Sequence, residues 1–363
     1  MKELIATCVA LVGVILVISS FLHVGRHTLR RGRCAAGIIL ILLVFVFAFR
    51  VANAPPTPDE TDIDDRAKPA PIVATLQEKF ELDFWAYDQP SWPVAIELAT
   101  CSSNAYLAPV FAEQELNKRG FTSVSTLNFG SSLGYVALIG DTAVIMFRGT
   151  NPPEIQDWFV NLNNRSFKAA DGPVHAGFWE SYNSLHDQLV EVLRQKEPKR
   201  LWITGHSLGG ALAVVCSYRM MTEENRDIAG VMTFGQPRVG SKEFCSHMES
   251  ALNGRMVHFV NESDVVPRVP PSFGHFGSLV WYTGGAIRRS RPPNLMMSNG
   301  EDSKNNDEFV ELPAMSQHEF EKAKRELNQP PKVQYSPEGQ PLMLGSSRYI
   351  DDHDIELYID RLR

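Results

Sequence analysis

The chain has 363 residues, 44% of them hydrophobic, 21% charged and 10% aromatic, with a formal net charge of −7. That profile fits one large or two modest globular domains and excludes a disordered, collagen-like or disulfide-stapled chain. An acidic balance gives no electrostatic support to a nucleic-acid partner. The average hides an asymmetry. The first fifty residues hold six basic side chains against one acidic, a net of +5, which leaves −12 for the remainder.

Leu4 to Val24 is an apolar run without a charge, long enough to cross about 30 Å of hydrocarbon. Cys34 to Phe49 is shorter, and spans if Arg50 snorkels and Val51 to Ala54 are counted. Residues 25–33 between them carry Arg26, Arg30, Arg31 and Arg33, which mark a cytoplasmic loop. Residues 1–54 are therefore expected to be a two-helix anchor in the bilayer, held through residues 4–54, with the remainder on the non-cytoplasmic side. A secretory signal core cleaved after Ala52-Asn53-Ala54, and a hairpin that never crosses, are the alternatives. Residues 55–71, rich in Pro, Asp and Glu, read as an extended spacer. None of the five cysteines sits at metal-ligand spacing, so free thiols and no metal are expected.

Residues 72–363 read as one α/β domain. A helix is expected over Trp92 to Tyr106, then strands Tyr135 to Ile139 and Thr142 to Phe147 as a hairpin about Gly140-Asp141. Helix Tyr182 to Gln195, strand Leu201 to Thr204 and helix Leu208 to Met221 follow. Strand Val231 to Phe234, helix Lys242 to Leu252 and strand Met256 to Val260 come next. Short apolar strands alternating with helices predict a mostly parallel sheet covered on both faces. Residues 287–347, polar and Pro-rich in part, read as a long, partly disordered insertion.

Leu201-Trp202-Ile203-Thr204 runs into Gly205-His206-Ser207-Leu208-Gly209, a Gly-x-Ser-x-Gly between a strand and a helix. Such a turn strains the serine backbone and exposes its hydroxyl, while the glycines let strand and helix pass closely. The helix N-terminus adds partial positive charge where an oxyanion would form. A serine nucleophile needs a base, and the base a carboxylate, in the chain order Ser, Asp, His for this kind of turn. Asp264 follows the strand Met256 to Val260, at the end where a sheet presents catalytic groups; Asp227 and Glu262 are the rivals. For the base the choices are His353, His275 and His318, the last in a charged helical stretch.

Gly205-His206-Ser207-Leu208-Gly209-Gly210 resembles the nucleophile elbow of the class 3 (fungal-type) lipases, which are α/β-hydrolases. The resemblance continues in order through Phe147-Arg148-Gly149-Thr150, Asp157-Trp158, Val174 to Phe178, Phe234 to Gly240, Asp264 to Pro267 and Asp352-His353. It covers about residues 92–285 and the last fifteen. It implies an α/β-hydrolase fold, with Ser207, Asp264 and His353 as the catalytic triad and His275 as a non-catalytic histidine. It implies an oxyanion hole made by Thr150 and the N–H of Leu208. Gly205, His206 and Gly209 shape the elbow. The stretch Asn151 to Leu162 stands at the family's lid position, with Pro152, Ile155, Trp158 and Phe159 as its apolar residues; a fixed helix packed on the core is the other reading. Asn161 stands where the family commonly has an aspartate that orients the oxyanion hydroxyl.

The expected protein is a membrane-anchored serine hydrolase that cleaves acylglycerol or phospholipid acyl esters without a cofactor. A tethered esterase for soluble or polysaccharide-linked esters, an acyltransferase and a non-catalytic membrane scaffold are the alternatives. The sequence leaves protein partners unknown.

Overall fold

In the computed structural model the described residues are 75–290, except 83, 87–88 and 152–153, with 312–328, 333–335, 341–343 and 351–363. They belong to one compact unit, Val73–Arg363. The two apolar runs and the spacer lie outside the described residues. Among those described, no helix is long and apolar enough to cross a membrane.

Helix α1 (Leu76–Glu81) opens on a capping box between Thr75 and Glu78, which satisfies N–H groups the helix leaves without partners. Helices α2 (Trp92–Asn104) and α3 (Pro109–Arg119) each carry proline in the first turn, where its missing N–H costs nothing. Strands β1 (Ser123–Phe129), β2 (Ser132–Ile139) and β3 (Thr142–Phe147) form an antiparallel meander. Gly140, at φ 54°, turns β2 into β3, as the Gly-Asp pair predicts. Helix α4 (Ile155–Asn161) and a small hairpin, β4 (Ser166–Ala169) with β5 (Gly172–His175), follow. Then come α5 (Ala176–Lys196), β6 (Arg200–His206), α6 (Leu208–Thr222), β7 (Gly230–Phe234), α7 (Lys242–Leu252) and β8 (Met256–Asn261). Strands β9 (Ser278–Thr283) and β10 (Ala286–Ser290), and helices α8 (Gln317–Leu327) and α9 (Ile355–Leu362), complete the unit.

The main sheet has eight strands in the order β10-β9-β8-β7-β6-β3-β2-β1. Neighbours from β3 to β9 are parallel, and an antiparallel hairpin closes each side. Side chains alternate across it with period two. Ala143, Ile145, Phe147, Leu201, Ile203 and Val231 pack against α5, α6 and α7. Val144, Met146, Trp202, Met232 and Phe234 pack against α1, α2, α3 and α9. Both faces being covered explains the near-continuous apolar runs. This is the α/β-hydrolase arrangement.

Every strand and helix expected between Trp92 and Val260 is present, with α5 beginning at Ala176 rather than at Tyr182. The sequence reading lacked α1, α3, β1, β4, β5, β9 and β10. Strand β1 lies at the sheet edge and buries only Leu127, and α3 buries only Ala112 and Leu116, so neither shows a strong apolar period. The stretch 287–347 is more regular than expected where it is described. It begins inside β10 and contains α8, whose Phe320, Ala323 and Leu327 are buried beneath a charged surface. Two residues preceding it, Leu312 and Met315, are also buried.

Candidate active site

Strand β6 ends at His206, and Ser207 takes φ 59°, ψ −132° before α6 begins. A non-glycine residue there stores on the order of 1–3 kcal/mol of strain. The surrounding glycines leave no choice of path. A Cβ on Gly205 would lie 2.2 Å from the Gly209 carbonyl oxygen, and one on Gly209 would lie 2.1 Å from that of Phe147. Closely packed β3, β6 and α6 thus hold the turn, and the Ser207 N–H donates to Phe234 O at the end of β7 (2.9 Å). Leu208, half-buried, opens α6, so its N–H has no acceptor within the helix.

Asp264 follows β8 and is buried, with its carboxylate fully paired. Oδ1 accepts from the Val266 N–H (2.9 Å) and Oδ2 from His353 Nδ1 (2.8 Å) and the Tyr358 hydroxyl. These donors satisfy both buried carboxylate oxygens. They also set the tautomer of neutral His353: with Nδ1 donating to Asp264, Nε2 carries the lone pair. The structure leaves two buried polar atoms at this place without a hydrogen bond, Ser207 Oγ and His353 Nε2. One is a hydroxyl donor and the other a basic acceptor.

His206 joins the two parts. Its Nε2–H donates to the His353 carbonyl (2.7 Å), its Nδ1 accepts from the Tyr106 hydroxyl (2.8 Å), and its ring centroid is 4.6 Å from that of His353. Burial, then the neighbouring His353, holds the His206 pKa well below the ordinary value, so it stays neutral and keeps this pattern. Gly235 (φ 58°) clears the space for the pair: a Cβ there would lie 2.9 Å from His353 Cε1 and 3.0 Å from Asp264 Oδ2. Gly149 does the same beside the nucleophile, where a Cβ would lie 3.1 Å from Ser207 Cβ and 2.2 Å from the Tyr106 hydroxyl. Thr150, half-buried, is the next residue along.

The rivals are engaged elsewhere. Asp227 pairs with Arg255 (2.8 Å) and Glu262 with Arg361 (3.0 Å), both at the surface. His318 is exposed on α8. His275 is half-buried, donates from Nε2 to Pro267 O (2.6 Å) and stacks on His258 at 4.5 Å. In α4, Ile155 and Phe159 are buried and Trp158 packs beside them; Pro152 lies outside the described residues. Asn161 donates from Nδ2 to Asp157 O one turn back (2.8 Å). One cluster among the described residues has potential metal-ligand atoms within 4.8 Å of one another: His186, Glu223 and Glu224. Arg219 already neutralises Glu223 there, with three contacts of 2.6–2.9 Å, which disfavours a cation.

Sequence reasoning missed Tyr106, Gly149, Gly235 and Tyr358 as parts of the site. The two glycines stand inside motifs it quoted, yet only the fold shows what their missing Cβ makes room for. The tyrosines carry no local signal.

Residues 144–274 match the family model described as lipase (class 3), in agreement with the motifs. A lipase of Rhizomucor miehei is 34% identical over 156 residues, covering 39% of this chain and 42% of its own. The triacylglycerol lipase OBL1 of Arabidopsis thaliana is 29% identical over 191 residues, covering 38% of this chain and 37% of its own. The chain thus spans about two fifths of the length of the curated relatives it matches. The solved structure of the Rhizomucor miehei triacylglyceride lipase superposes with a TM-score of 0.45 at 26% identity, covering 57% of this chain and 81% of that one.

Proposed function

We propose that this chain, whose residues 144–274 carry the class 3 lipase pattern on an α/β-hydrolase fold, is a membrane-anchored serine hydrolase of lipid acyl esters. The observation that carries the reading is the buried pair of unsatisfied atoms, Ser207 Oγ and His353 Nε2, backed by a fully paired Asp264 carboxylate. Buried polar groups left without partners need a reason, and these two are among ten such side-chain atoms in the described residues. A hydroxyl nucleophile and the base that takes its proton are such a reason. A non-catalytic scaffold has no use for them.

In this mechanism His353 Nε2 takes the hydroxyl proton as Ser207 Oγ attacks the acyl carbonyl. Asp264 steadies the imidazolium. The tetrahedral oxyanion lies toward the Leu208 N–H and Thr150, where each donor is worth about 3 kcal/mol. The imidazolium then gives its proton to the departing alcohol, leaving an acyl-serine. Water, deprotonated by His353, releases the acid. The chemistry draws on side chains and backbone alone. Lipid esters are favoured by the family pattern, by the name of the Arabidopsis relative, and by the apolar runs 4–24 and 34–49, which would hold the domain at a bilayer on its non-cytoplasmic side.

The test is hydrolysis of a long-chain acylglycerol by the reconstituted chain and by Ser207→Ala. Loss of turnover by about 10⁴-fold or more is expected, with an unchanged melting curve. Residual turnover within tenfold of the parent would overturn the assignment.

A further inference from the structure

The parallel strands all end on one side of the sheet, and Ser207 stands on that side. Strand β1 runs the same way, so its last residue, Phe129, lies at the same edge, paired with Ser132. Helix α3 begins there too. Tyr106 reaches His206 at the nucleophile turn, and the Leu107 carbonyl accepts from the Tyr135 hydroxyl (2.7 Å). The chain then turns through Ala108 into Pro109-Val110-Phe111. Three large apolar side chains crown this corner in water: Val110 is 64% exposed, Phe111 60% and Phe129 63%. They are the most exposed large hydrophobic residues of those described.

At about 150–250 Å² per aromatic side chain these three leave roughly 350 Å² open. A stable protein partner needs about 800 Å² on each side, of which these three side chains would supply less than half. The corner suits a few side chains dipping into a lipid surface, which requires no shaped counterpart. Its footing is rigid: the hydrogen bonds of Tyr106 and Tyr135 tie it to the strand ends that carry the active site. We propose that the corner formed by Val110, Phe111 and Phe129 is the docking surface by which the domain seats its catalytic edge on a lipid phase. The inference rests on the lipid-ester reading above and adds the contact that orients it. Docking acts through encounter with packed lipid, so it changes lipid turnover and leaves soluble turnover alone.

The full chain is reconstituted in phosphatidylcholine vesicles containing diacylglycerol, and its rate on that lipid is divided by its rate on a short soluble ester. The double variant Val110→Glu/Phe111→Glu is expected to lower this ratio at least tenfold with the soluble rate unchanged. Phe111→Trp is expected to keep the ratio and to add tryptophan fluorescence quenched by brominated lipid. An unchanged ratio together with an unquenched tryptophan would overturn the proposal. A dimer of the parent chain that the double variant dissociates would also overturn it, by assigning the corner to a second copy. If the parent hydrolyses neither ester, the functional reading fails by itself, and the quenching alone decides on docking.

Discussion

The Asp264 carboxylate rests on three donors from three segments: Val266, His353 and Tyr358. Tyr358→Phe removes one of them while keeping the ring. A hydrogen bond to a charged group is worth about 1.5–3 kcal/mol, so stability should fall by about that much and kcat by an order of magnitude, with little change in KM. Steady-state kinetics and a denaturant melt check both. Gly235→Ala should be harsher on catalysis, since its Cβ would meet both His353 and Asp264. Gly120→Ala is its control. Gly120 also has positive φ (109°), but no atom lies closer than 4.0 Å to the added carbon, so it should lose stability and keep kcat. The structure sets His353 Nδ1 2.8 Å from Asp264 Oδ2; the turn motif and the strand end made Ser207 and Asp264 legible as candidates, and with the family resemblance His353 was legible too. Tyr106, Gly235 and Tyr358 were not, because what they do depends on which strand ends lie side by side.

Among the elements, α4 and α8 form the pair with the clearest consequence. Phe159 of α4 and Phe320 of α8 are both buried and meet edge to face at 5.5 Å. Lys324 of α8 donates to Leu162 O (2.9 Å), just past the end of α4. Helix α8 therefore braces α4 on the core. Phe320→Ala should cost about 3–5 kcal/mol and should raise amide exchange in residues 155–161 more than in α6. Equal protection of the two helices in the variant would mean that α4 packs independently of α8. The sequence reading put a lid or a fixed helix at 151–162, and saw a charged helical stretch about His318 inside a partly disordered insertion. Only three residues of α8 face the core, and eight polar ones hide that stripe. The parallel centre of the sheet was legible because both of its faces are buried. The edge strands β1 and β10 were not, since exposure on one side dilutes the apolar pattern.

At the scale of the whole molecule, five buried or half-buried histidines (His175, His186, His206, His258 and His275) have pKa values lowered chiefly by burial. Unfolded histidine titrates near 6.5. Below that pH the unfolded chain binds more protons than the folded one, so the stability these groups allow is complete above pH 6.5 and drains away as pH falls. His258 is the clearest case, pushed down to about 3 with no hydrogen bond to Nδ1. His258→Gln should flatten the fall in stability between pH 6 and pH 4 by up to about 1.4 kcal/mol per pH unit. Denaturant melts at both pH values measure it. The unit also has a direction. Gln77 of α1 lies against Gly140, at the β2–β3 turn and so at the sheet end opposite Ser207. Residues 55–74 extend to at most about 70 Å. Under the proposed anchoring, deleting 55–71 should reduce turnover of esters in the chain's own membrane while sparing a soluble ester.

The central claim is that Ser207 is the nucleophile for a long-chain acyl ester. A long-chain alkylphosphonate ester, tetrahedral like the intermediate, reads it directly by mass spectrometry of the inhibited full chain. The account predicts one phosphonyl group per chain, carried by the peptide containing Ser207. Inactivation should be proportional to labelling, and labelling should slow in Asp264→Asn. Inactivation with the label on another residue, or acylglycerol hydrolysis that continues while Ser207 is fully labelled, would contradict it.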